Sequence, residues 1–289
     1  MTRARQPALA LGTAQFGLAY GIAGNAAPPG DADIRAILRR AAALGIDRLD
    51  TAAAYGDIEE RLGTLIGDLP FSVVSKIPAL PAGLPAADAW PAVQTAMRRS
   101  HERLGGLLRG ILFHDPAAVA GPDGQVLWEA AHDMAARVGI ACGISGYDPG
   151  DLAALDAPPP ATAQLPGNAF DQRLAAIPSN LAGCELTMRS VFLQGLLLLP
   201  ATEVAARLPA AVPAHRGWTR WCDEQGLSPL AGALACGKAL APDFIVVGVD
   251  NLAQLEQIAA AWGTAAPIAA PGLAIPDPAI IDPRTWPAR

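Results

Sequence analysis

Asp50, Tyr55, Lys76 and His114 carry complementary chemistry and fall at or just after the ends of three successive apolar runs. A free tyrosine ionises near pH about 10, too high for easy proton exchange near neutrality. A nearby ammonium favours the phenolate, so Lys76 is expected to make Tyr55 more acidic. Asp50 is expected to hold Lys76 charged and aimed, because a buried charge needs a partner. His114 is suited to donate a hydrogen bond to a carbonyl oxygen and orient it. The set fits giving a proton to an oxygen as a hydride reaches the adjoining carbon, or the reverse. Singly, each residue has a plainer role: a turn aspartate, a rim tyrosine, a solvent-seeking lysine, a histidine capping a loop. Their joint placement is what points to chemistry.

The elements that must position them read as short apolar runs alternating with helical patterns. Strands are expected over residues 8–13, 47–51, 71–77, 110–114, 140–145, 162–165, 185–192 and 244–249. Several are nearly continuous in apolar residues, as parallel strands buried on both faces are. Helices are expected over 31–44, 88–104, 122–138 and 251–262, with Asp31 as N-cap and Gly45 as the stop of the first. Pro209, Pro213 and Pro229 divide residues 200–241 into three helical pieces, and the Pro-rich C-terminus is expected to wrap the surface. Strict alternation implies a parallel sheet with helices outside. The expected fold is an α/β (β/α)8 barrel, in a single domain over residues 1–289. A doubly wound sheet would want G-x-G-x-x-G after its first strand. Here Gly12-Thr-Ala-Gln-Phe-Gly17 stands there instead. In a barrel, side chains at strand C-termini face the active site, and the four residues above converge on that rim.

Composition sets limits. Of 289 residues, 52% are hydrophobic and 17% charged, which suits a packed core. The net charge of −6 argues against nucleic-acid and anionic-membrane partners. Cys142, Cys184, Cys222 and Cys236 have neither C-x-x-C spacing nor a nearby His in zinc-finger register, and read as free thiols. The run from Ala8 to Leu11 behind Arg3 and Arg5 looks like the start of a leader, but Gly12, Thr13, Gln15 and Gly17 interrupt it. A cytoplasmic chain, monomeric or weakly self-associating, is expected.

Several motifs resemble the aldo-keto reductase family: Leu11-Gly-Thr-Ala-Gln-Phe-Gly17, Asp50-Thr-Ala-Ala-Ala-Tyr-Gly56, Glu59-x-x-Leu-Gly63, Lys76, His114 and Gly143-Ile-Ser-Gly-Tyr147. The likeness continues through Gln164, Arg189-Ser-Val-Phe-Leu-Gln-Gly195 and Val246-Val-Gly-Val-Asp-Asn251. Within the family the chain is similar to a bacterial branch met beside sugar-processing genes. The resemblance implies the same barrel, a nicotinamide cofactor (NADPH or NADH) and a tetrad of Asp50, Tyr55, Lys76 and His114. It implies cofactor contacts from Gly12, Thr13, Ser190, Gly195, Gly248, Asp250, Asn251 and Gln254, with Ser145 and Gln164 on the carboxamide. The helix start near Asn251 is a natural phosphate site. A substrate pocket is expected from Gln15, Phe16, Tyr20, Pro78 and Asp115, with Trp218 and Trp221 either walling it or packing within the helical layer.

The chain departs from the family pattern in three places. Gly146 stands where an asparagine is frequent. Arg189 stands where an aromatic ring commonly stacks on the nicotinamide; a guanidinium can also stack, or bind an anionic substrate group. The loop Gly248-Val-Asp-Asn-Leu-Ala-Gln254 holds no cation for an NADP phosphate, and Lys238 is the candidate to compensate. Three functions remain open: reduction of an aldehyde or ketone, NAD-dependent oxidation of an aldose at its anomeric carbon, and a cofactor-binding regulatory protein with little turnover. The intact tetrad weighs against the last. Metal-dependent hydrolysis needs clustered ligands at strand ends. His101, His132 and His215 fall on expected helices, so no metal is expected. The substrate is expected to be a small carbonyl or sugar-like molecule.

Overall fold

A computed structural model describes residues 6–22, 27–81, 83–152, 158–178, 181 and 183–287. Eight parallel strands close into a barrel in sequence order: β1 (Ala8–Gly12), β2 (Arg48–Asp50), β3 (Ser72–Ile77), β4 (Leu108–Phe113), β5 (Ala141–Ser145), β6 (Thr162–Pro166), β7 (Glu185–Arg189) and β8 (Phe244–Gly248). The alternation of apolar runs with helical segments reads this architecture correctly. Each run buries one side inside the barrel and the other under helices. Leu11, Leu49, Ile111, Ile144 and Val247 are fully buried as a result.

The register decides which residues share the rim. Gly12 pairs with Asp50 on one side and Gly248 on the other. Ser145 pairs with Gln164, and Pro166 with Arg189. Strand ends therefore deliver Gly12, Asp50, Lys76, Ser145, Gln164, Arg189 and Gly248 to one end of the barrel, with His114 directly after β4. The expected seventh strand ran to 192, but β7 stops at Arg189. Ser190 takes φ 63°, a left-handed conformation that ends pairing.

The outer helices follow the apolar stripes. Asp31–Ala43 buries Ile34, Ile37, Leu38 and Ala41. Its N-cap is Gly30, not Asp31, which is the first helical residue and pairs with Arg61 at 2.7 Å. Gly45 follows the C-cap at φ +79° and turns the chain. The helices Ala86–Leu104, Gly121–Arg137 and Leu252–Thr264 lie near their expected places, and 200–241 does form three pieces, Ala201–Arg207, Val212–Gln225 and Pro229–Ala239. His101, His132 and His215 lie on three of these helices. The helix Ile58–Leu65 was not anticipated. Its Glu59 is buried, accepting from Ser75 Oγ at 2.5 Å and Ser100 Oγ at 2.7 Å and pairing with Arg103 at 3.0 Å. The Glu59…Gly63 motif thus ties β3 to the next helix, and Gly63 is needed because a Cβ would stand 2.1 Å from Arg103 O.

Most of the core lies between barrel and helices. A second apolar cluster joins Phe170, Leu193, Leu196, Trp218, Cys222 and Ile281, so the loop after β7, the 212–225 helix and the C-terminal tail pack as a unit. Trp218 is fully buried there and donates to Leu197 O at 2.8 Å, stacked 5.5 Å from Trp221. Trp218 is a packing residue and walls no pocket. The four cysteines are free thiols. Among the described residues, no helix is long and apolar enough to cross a membrane.

Candidate active site

Lys76 is the most buried charge at the rim, 1% exposed, and its environment explains why it stays there. Its Nζ donates to Asp50 Oδ1 at 2.7 Å, Asp50 Oδ2 at 2.8 Å and Thr51 O at 3.0 Å. Burial lowers its pKa, and the Asp50 carboxylate opposes that shift. Asp50 accepts a further hydrogen bond from Gln164 Nε2 at 2.7 Å, and Ser145 Oγ lies 3.4 Å from Gln164 Oε1. Ser145 and Gln164, expected on a cofactor carboxamide, thus also form a polar wall behind Asp50.

Tyr55 stands in front of this pair. Lys76 Nζ is 5.8 Å from the centre of its ring, and the His114 ring lies edge-on at 6.2 Å. Burial, then the Asp50 charge, push the Tyr55 hydroxyl well above the usual tyrosine range. Arg189 pulls the other way. This corrects the expectation that Lys76 acidifies Tyr55: Asp50 and Thr51 absorb the ammonium, and Arg189 is the cation that acts on the hydroxyl. His114 is pushed down to about 4 by burial and by the positive charges of Lys76 and Arg189, so its ring is neutral near neutral pH.

A cavity of about 330 Å³ opens beside these groups. Its walls include Gly12, Thr13, Gln15, Tyr20, Asp50 and Tyr55 on one side, and Arg189, Ser190, Gly195, Gly248, Asp250 and Gln254 on the other. Gly248 leaves room that a side chain would fill: a Cβ there would stand 2.2 Å from Gln15 Nε2. Thr13 is buried and donates to Asp50 O at 3.1 Å, linking the cavity wall to the charged pair. Tyr20 is pushed up to about 12, chiefly by burial and then by Tyr55.

The far end of the cavity meets the start of the 252–264 helix. Asn251 is its N-cap, accepting from Gln254 N at 3.0 Å, and Gln254 Oε1 accepts in turn from Asp250 N at 2.7 Å. Asn251 therefore caps the helix, while Asp250 and Gln254 line the cavity. Lys238 does not compensate for the missing cation. Its Nζ donates to Trp262 O at 2.7 Å and Ala265 O at 2.8 Å.

Three expected substrate residues lie elsewhere. Phe16 is fully buried in the core, because the short helix Ala14–Gly17 turns it inward. Pro78 is exposed beyond β3 and outside the cavity wall. Asp115 caps its own turn, accepting from Ala117 N at 2.9 Å. Conversely, Phe192, Gln194 and Leu198 line the cavity without having been singled out. Leu193 and Gln194 take φ 47° and 52°, strained for side-chain-bearing residues. The loop is held by Asn168 Nδ2 donating to Ser190 O at 3.3 Å and Ile22 N donating to Gln194 O at 3.0 Å. A second cavity, about 610 Å³, lies between the loops after β5 and β6 and the C-terminal tail, bounded by Tyr147, Asp148, Arg173, Asp282 and Arg284.

The cavity fits an elongated, partly polar cofactor. Gly248 gives close backbone approach, a helix start sits at one end, and proton-carrying groups sit at the other.

The chain resembles proteins of known structure. It superposes on the glycerol dehydrogenase from Gluconobacter oxydans with a TM-score of 0.65 at 18% identity, covering 88% of this chain and 86% of that one. It superposes on an aldo-keto reductase from Bacillus halodurans, solved in its holo form, with a TM-score of 0.65 at 16% identity, covering 91% and 88%. At these identities the likeness concerns the fold. No curated protein matches. A model of the aldo/keto reductase family matches residues 8–268. With barrel, rim and cavity in place, the chain belongs to the aldo/keto reductase family, whose members are oxidoreductases using nicotinamide cofactors.

Proposed function

We propose that the chain reduces an aldehyde or ketone to an alcohol, with Tyr55 as the general acid. The observation that carries this reading is the placement of Tyr55 between the buried Lys76–Asp50 pair and a neutral His114, facing a cavity suited to a dinucleotide. Gly12, Ser190, Gly195, Gly248, Asp250 and Gln254 would hold the cofactor. When bound, the nicotinamide supplies or accepts the hydride. Tyr55 donates its hydroxyl proton to the carbonyl oxygen as the carbon is reduced, and in oxidation its phenolate takes the alcohol proton. His114, being neutral, donates a hydrogen bond to the same oxygen without competing for the proton. Asp50 fixes Lys76, and Gln164 fixes Asp50. A burial-raised Tyr55 keeps its proton near neutrality, which favours the reductive direction.

A second reading, NAD-dependent oxidation of an aldose, uses the same groups in reverse. Asp250 on the cavity wall favours it, since a carboxylate suits a ribose hydroxyl better than a phosphate. Initial rates with an aldehyde, ketone and aldose panel, in both directions and with both cofactors, test the two. Reduction dominating at neutral pH supports the first reading. No turnover in either direction, with cofactor bound, refutes both and leaves a regulatory protein.

A further inference from the structure

Arg189 is a cation without a carboxylate. Every other arginine or lysine facing the active-site rim is matched: Lys76 by Asp50 at 2.7 Å, and Arg284 by Asp282 at 2.6 Å. Among the described residues Arg189 makes two hydrogen bonds, to Gly146 O at 2.9 Å and Ser190 Oγ at 3.4 Å, and forms no ion pair. It is half-buried on the cavity wall that also holds Tyr55 and Tyr20. Its guanidinium lies 4.1 Å from the centre of the Tyr147 ring, and Arg284 lies 3.6 Å from the same ring. Tyr147 thereby fixes the plane of the fork while leaving most of its N–H donors unspent. The chain has three tyrosines, and all three, Tyr20, Tyr55 and Tyr147, gather around this one arginine. A partly desolvated cation is costly unless an anion meets it.

We propose that Arg189 receives an anionic group of the substrate, so that the natural substrate is a carbonyl compound bearing a carboxylate. This rests on the functional reading above and names its substrate class. The cofactor phosphates are the other source of negative charge. They are disfavoured because Arg189 acts on Tyr55, Tyr20, His114 and Lys76, the reacting end of the cavity. The helix start at Asp250 and Asn251 lies at the other end. Gly146 contributes by leaving its carbonyl to orient the guanidinium, and Ser190 by flanking it. A planar fork favours a carboxylate held by two parallel bonds. Asp282 also feels Arg189 but is spent on Arg284, with Oδ1 3.0 Å from Nε. It therefore screens the site from outside and does not fill it.

The test pairs each of pyruvate, 4-oxobutanoate and glucuronate with its uncharged methyl ester. Binding to the cofactor-loaded chain is followed by calorimetry, and turnover by cofactor absorbance. At least one acid is expected to exceed its ester by about tenfold or more in affinity, the scale of a charge-assisted pair, and that ratio is expected to fall as salt rises. Arg189→Gln is expected to bring the ratio close to one by raising the KM of the acid. Equal affinity for acid and ester throughout the wild-type series overturns the proposal and needs no variant. So does an Arg189→Gln chain that loses cofactor affinity while keeping the acid preference, since the anion would then be a cofactor phosphate. Acid preference in calorimetry without any turnover sinks the carbonyl-reductase reading and leaves the anion site standing.

Discussion

Gly17 lies directly against the backbone of Tyr55: a Cβ at Gly17 would stand 1.9 Å from Tyr55 O. Gly56, at φ +69°, returns the contact, since its own Cβ would stand 3.2 Å from Gly17 O. The loop after β1 and the loop after β2 thus touch glycine to backbone, and this contact sets the height of Tyr55 above Lys76. Gly17→Ala must push one loop away. The expected cost is about 1–3 kcal/mol in stability, with a fall in turnover larger than the loss of folded protein explains. Gly106→Ala is the control, as a Cβ there meets nothing within 4 Å. Melting temperature and kcat measured on both variants check this. Equal behaviour of the two would mean the loop contact does not position Tyr55.

Tyr55→Phe removes the transferable proton and keeps the ring beside His114. Turnover is expected to fall at least about a hundredfold, the usual scale of general acid catalysis, with cofactor affinity retained in a fluorescence titration. A stable variant with near-normal kcat would remove Tyr55 from the mechanism.

Lys76→Met leaves Asp50 buried with Gln164 as its remaining side-chain donor. Breaking a buried pair by removing one partner costs about 3–5 kcal/mol, so the denaturant midpoint should drop strongly. Lys76→Met with Asp50→Asn should be less destabilised than Lys76→Met alone, because the unpaired charge is gone. A double variant that loses the sum of both single losses would show that the pair is not coupled.

The pH dependence follows from two shifted groups. Tyr55 has its pKa raised, so its acid form persists through neutrality and the base form grows only in alkali. Reduction should stay level across the neutral range and decline only at alkaline pH, while oxidation should climb as pH rises. His114, pushed down to about 4, stays neutral above that value and should leave no inflection near the ordinary histidine pKa. Rate profiles in both directions decide this, and a reductive limb that titrates near pH about 6.5 would show that a histidine controls the proton.

The barrel was legible because parallel strands buried on both faces leave plain apolar runs, and the tetrad was legible because strand ends face one rim. What escaped depended on three-dimensional neighbours. Phe16 reads as a loop residue, yet one turn of helix at Ala14–Gly17 sends it into the core. Ile58–Leu65 is eight residues long, too short for periodicity to mark, and Glu59 looks like a surface acid until Ser75, Ser100 and Arg103 surround it. The isolation of Arg189 is the absence of a carboxylate among loops distant in sequence, which no spacing records. The same holds for Lys238, whose engagement with Trp262 and Ala265 needed the packing of two helices.

Cofactor choice turns on one phosphate with close to two negative charges. A site preferring NADPH normally meets it with Arg or Lys, because charge-assisted hydrogen bonds are among the strongest available. Here Asp250 lines the cavity at the start of the 252–264 helix, and Gln254 Nε2 approaches its Oδ2 at 3.3 Å. Lys238 is spent on backbone carbonyls of Trp262 and Ala265, and Arg284 on Asp282 and Tyr147. A like charge a few ångströms from the phosphate costs about what an opposite charge would gain. NADH should therefore bind at least as well as NADPH. Asp250→Arg should shift the preference toward NADPH, and the shift should shrink with added salt, since exposed charges are screened over about 10 Å at 0.1 M. Asp250→Asn separates repulsion from attraction: it should recover part of the NADPH affinity without gaining a cation's salt dependence. Titrations of both cofactors against the three chains give the answer. A wild-type chain that strongly prefers NADPH with Asp250 in place would overturn the assignment and require a cation reaching the phosphate from another part of the chain.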